Sequence, residues 1–236
     1  MDKPPYDQRI ARILVRPLAG TPIAANHITA ISLVLALAAA ALFALGDPAA
    51  ANWGAGLFVL ARFLDHFDGE LARLTGKTSR LGYYFDYVAG GASYAALFAG
   101  IGVGLSGGAF GGWALLLGAA GAASALVGLF LNLDLDRQLQ LAGGESVGYP
   151  GFAGFELEDG IYLIAPITWL GWLVPFFVAS GVGAAIYCTW SGWTLAAARA
   201  KRRGEARSSG DSVEGIGNRS LVVRFRAASG RRARSR

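Results

Sequence analysis

The sequence predicts an all-α integral membrane protein with six transmembrane helices and an N-terminal interfacial helix. Of its 236 residues, 54% are hydrophobic and only 16% are charged. Long uncharged runs recur along the chain, and several have the roughly 20 residues that an α-helix needs to cross the hydrocarbon core of a bilayer. Basic residues lie mainly between these runs and in the C-terminal tail. Together these features exclude a soluble globular domain.

The predicted spans alternate with turn-forming residues. The first four cover residues 28–46, 53–73, 82–105 and 113–133. Residues 160–198 carry no charge at all, and 39 residues are too many for a single crossing at about 1.5 Å per residue. We therefore predict a hairpin of two helices there, turning near Gly171 and Trp172.

The distribution of Lys and Arg predicts the orientation. Arg73, Lys77 and Arg80 lie between spans two and three, whereas no basic residue follows spans one, three and five. The positive-inside rule then places both termini and the loop after span two on the cytoplasmic side. We expect the protein in a bacterial cell (inner) membrane.

Three domains are predicted: an N-terminal interfacial segment (1–27), a six-helix membrane domain (28–198) and a basic disordered cytoplasmic tail (199–236). In the first, apolar residues alternate with arginines, as in helices that lie on anionic membranes, although a solvated segment is the alternative. The tail holds 12 of the 21 Lys and Arg residues but 3 of the 16 acidic ones. Membrane lipids are therefore expected partners, and nucleic acid is not, because no aromatic platform accompanies the charge.

Acidic residues in the second and third spans are the main functional signal. A charged residue at the centre of a spanning helix costs roughly 2.5–3.5 kcal/mol on insertion scales, so several together need a compensating ligand. Asp65 and Asp68 share a helix face, and Asp86 opens the next apolar segment. Clusters of carboxylate oxygens select hard divalent cations, so we predict a site for Mg²⁺ or Mn²⁺.

Small residues and an arginine accompany these acids. Gly69 and Ala72 would let a ligand approach the helix backbone closely. Arg73 carries a fork of donors suited to phosphate oxygens. Arg62, one turn before Asp65, is expected to pair with it or with a neighbouring acid, and binding a substrate phosphate is its alternative role.

The whole pattern resembles the signature of the CDP-alcohol phosphatidyltransferases, D-x2-D-G-x2-A-R-x8-G-x3-D-x3-D. The spacing is kept at every matching position, and only the last aspartate is replaced, by Gly90. The matching residues are Asp65, Asp68, Gly69, Ala72, Arg73, Gly82 and Asp86.

The resemblance implies an enzyme of phospholipid biosynthesis. It would transfer a phosphatidyl or similar group from a CDP-linked lipid or alcohol to an acceptor hydroxyl and release CMP. Asp65, Asp68 and Asp86 would be metal ligands. Gly69, Ala72 and Gly82 would let the nucleotide lie against the backbone, and Arg73 would hold its phosphates or a neighbouring acid.

Gly90 separates two hypotheses, because the aspartate it replaces is the family's proposed general base and a ligand of its second metal. In the first, the chain is an enzyme, with Asp86 and Asp159 as catalytic carboxylates. Glu156, Glu158 and Asp159 lie at the predicted cytoplasmic end of span five, and counting residues puts Asp159 near the depth of Asp65. These acids can equally be a solvated helix start. In the second hypothesis, the chain is a non-catalytic member that binds nucleotide or lipid as a membrane scaffold or regulator.

A further pattern concerns assembly. Gly100, Gly104 and Gly108 recur at every fourth position of the third span. Such small-residue patterns let helices pack closely. The pattern is compatible with a homodimer interface or with packing inside the chain.

Overall fold

The computed structural model describes the backbone of residues 6–141, 151–152 and 155–230, and the side chains of residues 10–138, 160–201 and 203. The described chain is all-helical apart from two antiparallel two-residue strands, β1 (Gly151–Phe152) and β2 (Phe155–Glu156). The helices are α1 (Tyr6–Val15), α2 (Ala25–Ala44), α3 (Pro48–Thr75), α4 (Arg80–Leu105), α5 (Gly112–Leu141), α6 (Ile164–Trp169) and α7 (Leu173–Gly230). Two 3₁₀ helices precede α2 and α6, at Arg16–Gly20 and Leu157–Leu163.

Four described helices are long and apolar enough to cross a membrane. They cover Ala25–Ala44, Arg80–Leu105, Gly112–Gln138 and Leu173–Lys201. They correspond to predicted spans one, three, four and six. α3, the predicted second span, has 28 residues and a length of about 42 Å, but its charged residues keep it outside this set.

The predicted fifth span is not a full-length helix in the described residues. The apolar helical segment Gly160–Trp169 extends for only about 15 Å, half the thickness of a hydrocarbon core of about 30 Å. Its first part is a 3₁₀ helix, and Pro166, which lacks a backbone N–H, lies in the first turn of α6. The predicted turn is confirmed: Gly171 separates α6 from α7 and has a φ of 78°. The count of six spans stays a prediction.

Residues after 198 also differ from expectation. α7 continues as a helix to Gly230, whereas the Arg, Ser and Gly content of this tail predicts disorder. No proline interrupts residues 202–230, so no residue there is incompatible with a continued helix. The chain forms two compact units, Met1–Gly192 and Trp193–Arg236. All the candidate site residues belong to the first unit.

The core of the first unit lies where α2 packs against both α3 and α4. Its buried side chains include Phe43 of α2, Phe58 of α3 and Ile101 of α4. Gly100 and Gly104 of α4 face the backbone of α2, where a Cβ atom would overlap the carbonyl oxygens of Ala40 and Phe43. These two glycines of the predicted pattern therefore serve packing inside the chain.

The outer surface of the first unit is apolar. Exposed side chains on α2, α3, α4 and α5 include Val34, Leu60, Val103 and Phe130, as expected of helices that face lipid. α1 combines exposed Ile10, Ile13 and Leu14 with Val15, which is buried against Ile28 and Leu71. α1 is thus attached to the bundle, and its location at the membrane interface stays a prediction.

Candidate metal centre

The termini of α3 and α4 are defined by local capping, and this fixes the register of the acidic residues. Asp47 caps the N-terminus of α3 by accepting a 2.8 Å hydrogen bond from the Ala50 amide. Gly76, with a φ of 66°, ends α3 in the left-handed conformation. Ser79 then caps α4 through a 3.0 Å hydrogen bond from the Gly82 amide to its Oγ. The short connection leaves the carboxylates of the two helices facing each other.

Asp65, Asp68 and Asp86 converge in space. One carboxylate oxygen from each lies within 4.8 Å of the others. Asp68 is buried, and the other two are half-buried. Octahedral Mg²⁺ binds oxygens at about 2.0–2.1 Å, which puts ligand oxygens about 3–4 Å apart, so the carboxylates would move closer together on binding one ion. The predicted carboxylate cluster therefore exists, and its donor set fits a divalent cation.

Two hydroxyl groups of α2 orient these carboxylates. Thr29 donates a hydrogen bond to Asp68 Oδ2, and Ser32 Oγ lies 3.5 Å from Asp65 Oδ1. Both hydroxyl side chains are buried. Sequence reasoning missed them, although two polar residues three positions apart in an otherwise apolar run were a usable signal.

Arg62 is the buried cation of the centre. Its Nη2 lies 3.0 Å from Asp65 Oδ2, which confirms the predicted ion pair. The guanidinium also stacks on the ring of Tyr94 at 5.0 Å from the centroid. It is 5% exposed as a residue, so water screens its charge little.

A second charged group lies at the C-terminal end of α3, around the buried Glu70. Arg73 Nη2 lies 2.8 Å from Glu70 Oε1, so this arginine holds the neighbouring acid. Arg12 of α1 reaches the other oxygen at 2.9 Å, and this hydrogen bond and the charge of Glu70 raise the pKa of Arg12. Both guanidinium groups are more than half exposed. Sequence reasoning missed Glu70, although its spacing of three residues from Arg73 was a signal.

The small residues of the motif have different surroundings. The Arg73 guanidinium covers Gly69, where a Cβ would lie 3.3 Å from Nη2. A Cβ at Gly82 would lie 2.9 Å from Asn26 Oδ1, so this glycine lets the start of α2 approach α4. Ala72 is half-buried. The roles of these residues toward a nucleotide stay predictions.

The predicted acidic group before α6 lies partly outside the described residues. Glu156 belongs to β2, while Glu158 and Asp159 belong to the 3₁₀ helix Leu157–Leu163. The side chains of all three are outside the described part of the chain. Their convergence on the metal centre stays a prediction.

Asp136, near the end of α5, is a further buried acid and is only 1% exposed. It accepts hydrogen bonds from Tyr83 at 2.9 Å and from Tyr87 at 2.6 Å. The two tyrosines come from α4, so their spacing in sequence gave no indication of this partner. Beside them lies a cavity of about 570 Å³, lined by Arg80, Tyr83, Tyr84, Phe130, Leu133, Asp134 and Arg137.

An all-α membrane bundle with three convergent carboxylates defines a class of protein suited to metal-assisted phosphate chemistry. The family model described as CDP-alcohol phosphatidyltransferase matches residues 22–196. The chain therefore belongs to the CDP-alcohol phosphatidyltransferase family. Membership of this family confirms the predicted class of activity, a phosphatidyl-transferring enzyme of phospholipid synthesis.

Solved structures support the fold. The chain is similar to the phosphatidylinositol phosphate synthase of Mycobacterium tuberculosis with CDP-DAG bound, with 21% identity and a TM-score of 0.54. That alignment covers 79% of this chain and 94% of the synthase. The same synthase in complex with manganese and citrate matches with 21% identity, a TM-score of 0.51 and coverages of 80% and 88%. No curated protein matches the sequence.

Proposed function

We propose that this protein transfers a phosphatidyl group from CDP-diacylglycerol, or a closely related CDP-linked donor, to an acceptor hydroxyl, with Asp65, Asp68 and Asp86 holding Mg²⁺ or Mn²⁺. The observation that carries the proposal is the convergence of three carboxylate oxygens within 4.8 Å. The CDP-DAG and manganese in the two structures of the mycobacterial synthase are consistent with this donor and this cofactor.

A divalent ion in this site would supply charge neutralisation on the donor pyrophosphate and on the leaving CMP. The protein's own contribution is orientation. Thr29 and Ser32 hydrogen-bond to Asp68 and Asp65, which limits the positions their remaining oxygens can take. Because these hydroxyls belong to α2, the packing of α2 against α3 and α4 sets the geometry of the site.

The nucleotide would approach from the C-terminal end of α3. The Arg73 side chain is more than half exposed there, and its planar guanidinium group has several N–H donors. It can therefore keep one hydrogen bond to Glu70 while another N–H binds a phosphate oxygen. Gly69 and Ala72 lie on the same turn, and Gly82 starts α4. Their small size would let the nucleotide lie against the backbone once Arg73 moves off Gly69 and Asn26 moves off Gly82.

The acceptor hydroxyl must lose a proton, and Gly90 supplies no base. We assign this role to Asp159, with Asp86 as the second catalytic carboxylate. In support, the 3₁₀ helix that contains Asp159 and the following α6 both contact α3. If no base is supplied, the protein would bind CDP-ligands without turnover, which is the non-catalytic alternative.

We further propose six spans with both termini cytoplasmic, in a bacterial inner membrane, with membrane lipids as partners. Exposed Trp53 and Leu60 on α3 support its insertion despite its charges. In a Cys188→Ser background, a cysteine at Thr78 and one at Gly210 should be labelled only from the cytoplasmic side, and one at Asp47 only from outside. Labelling of Thr78 and Asp47 from the same side would exclude this topology.

The activity test uses purified protein with CDP-diacylglycerol, Mg²⁺ or Mn²⁺, and a panel of acceptors: glycerol phosphate, inositol phosphate, serine and an amino alcohol. Acceptor-dependent release of CMP that stops on chelation is the expected result. Chelator-sensitive binding of the CDP-ligand without CMP release from any acceptor would support the scaffold hypothesis instead.

A further inference from the structure

Arg62 lies between the carboxylate cluster and the position of the missing motif aspartate. One nitrogen of its guanidinium group, Nη2, lies 3.0 Å from Asp65 Oδ2. A Cβ atom at Gly90 would lie 4.0 Å from the other terminal nitrogen, Nη1. We propose that Arg62 supplies the second positive centre of this site, so that the chain binds one divalent ion where a fourth carboxylate would support two. This inference rests on the metal site of the proposed function.

The oxygens on hand are sufficient for one ion. Asp65 Oδ2 is already paired with Arg62, and Asp68 Oδ2 already accepts the hydrogen bond of Thr29. The other oxygen of Asp65 lies 3.5 Å from the neutral hydroxyl of Ser32, which does not compete for its charge, and Asp68 and Asp86 each contribute a further ligand atom. Mg²⁺ and Mn²⁺ complete their coordination with waters and substrate phosphate, so three protein ligands are adequate for one ion. A second ion would have to share these same oxygens.

The charges lead to the same conclusion. Three carboxylates and one guanidinium leave two net negative charges, which one divalent ion neutralises. A second divalent ion would leave the half-buried group with two net positive charges. Excess charge in a poorly hydrated site is unfavourable because solvent screens it weakly. Substrate phosphates would have to be bound before such a site could fill.

The glycine at position 90 fits this arrangement. An aspartate there would extend from Cβ far enough to reach Nη1 and would pair with Arg62, withdrawing its charge from the substrate side. With glycine, the guanidinium keeps contact with Asp65 and Tyr94 and stays directed toward the centre. Arg62 then offers a fixed, non-exchangeable cation for the donor's phosphate oxygens, in addition to the bound ion.

The test counts Mn²⁺ on detergent-purified protein by equilibrium dialysis, with electron paramagnetic resonance of the metal released by acid. Wild type should bind one ion per chain, and Asp68→Asn should bind none. Gly90→Asp should still bind one, because its new carboxylate pairs with Arg62. The double variant Arg62→Met with Gly90→Asp should bind two.

Affinity separates a charge role for Arg62 from a merely structural one. Removing a cation from beside the ion should tighten Mn²⁺ binding by about tenfold or more in Arg62→Met, while CMP release falls. Arg62→Lys should keep the wild-type affinity. Arg12→Met is the matched control, since it removes an equally ion-paired arginine away from the cluster and should leave Mn²⁺ affinity unchanged.

The outcomes are distinguishable. If folded wild type binds no Mn²⁺, the metal site of the proposed function fails. If it binds two ions, or if Gly90→Asp alone binds two, the metal site stands and the role of Arg62 is wrong. Weaker Mn²⁺ binding by Arg62→Met would show that Arg62 only positions Asp65. If Arg62→Met does not fold, the number of Mn²⁺ ions bound per chain by wild type and by Gly90→Asp still tests the role of Arg62.

Discussion

α3 carries two groups of charged residues, the carboxylate cluster and the group around Glu70, and their net charges have opposite signs. At the carboxylate cluster, three acids face one guanidinium group, so negative charge is in surplus. At Glu70, one buried acid faces two half-exposed guanidinium groups, so positive charge is in surplus. The sign of the surplus indicates the ligand: a divalent cation at the cluster and an anionic group, such as a phosphate, at Glu70. A CDP-linked donor with its metal ion needs both.

The largest expected effect comes from removing a carboxylate at the cluster. Asp65→Asn or Asp68→Asn should abolish chelator-sensitive binding of a CDP-ligand and CMP release, because each removes a charged ligand without changing shape. The measurement is CDP-ligand affinity by calorimetry with and without chelator, with circular dichroism as the check on folding. Unchanged affinity in both variants would contradict the assignment of these residues as metal ligands.

The next effect concerns the missing base. Asp159→Asn should lower turnover by about 10²–10⁴-fold, the usual contribution of general-base catalysis, while CDP-ligand affinity stays at the wild-type value. Glu156→Gln and Glu158→Gln serve as matched neutral controls. Turnover that survives neutralising all three acids together would refute a base in this segment, and Gly90→Asp would then be tested for gain of activity.

A smaller effect on activity is expected from removing Arg73, one of the two arginines that pair with Glu70. Arg73→Met should raise KM for the CDP-donor by about tenfold. One charge-assisted contact to a phosphate contributes about 1.5–3 kcal/mol, and Arg73 gives up part of its contact with Glu70 to make it, so the net loss lies at the low end. Mn²⁺ affinity should not change, because Arg73 contacts Glu70 and not the cluster. A fall in Mn²⁺ affinity equal to that of an Asp65 variant would contradict the separation of the two groups.

The smallest effect on activity should follow from Glu70→Gln. The change leaves both arginines in place but removes their buried partner, so stability in detergent should fall by about 1–3 kcal/mol. KM for the CDP-donor should stay the same or fall, because Arg73 is released toward phosphate. Arg12→Gln is the control for the contact between α1 and α3. A raised KM in Glu70→Gln would mean that Arg73 needs this acid for its position.

The parts of the site that sequence predicted are those set by spacing along one helix. Asp65, Asp68 and the Arg62 pair follow from helical periodicity, and the short connection brings Asp86 opposite them. Thr29, Ser32 and Arg12 were missed because their partners lie 33 to 58 residues away, and only packing brings them together. The same holds for Asp136, whose partners Tyr83 and Tyr87 lie 53 and 49 residues away.

The fold was predictable to a similar degree. The lengths of the uncharged runs in the sequence predicted the positions of α2, α4, α5 and the turn at Gly171. For the fifth span the prediction stays open, because hydropathy does not distinguish a long α-helix from a 3₁₀ segment followed by a short helix. The spacing of the glycines in α4 was compatible with both a homodimer interface and packing inside the chain. The carbonyls of Ala40 and Phe43 facing Gly100 and Gly104 indicate packing inside the chain.

The most direct test of the central claim is anomalous diffraction at the manganese edge from crystals soaked in Mn²⁺. We expect an anomalous peak about 2.1 Å from an oxygen of each of Asp65, Asp68 and Asp86, and none beside Glu70. The same crystals of the Asp68→Asn variant should lack the peak. A manganese peak at Glu70, or full occupancy elsewhere with the three aspartates bare, would contradict the account.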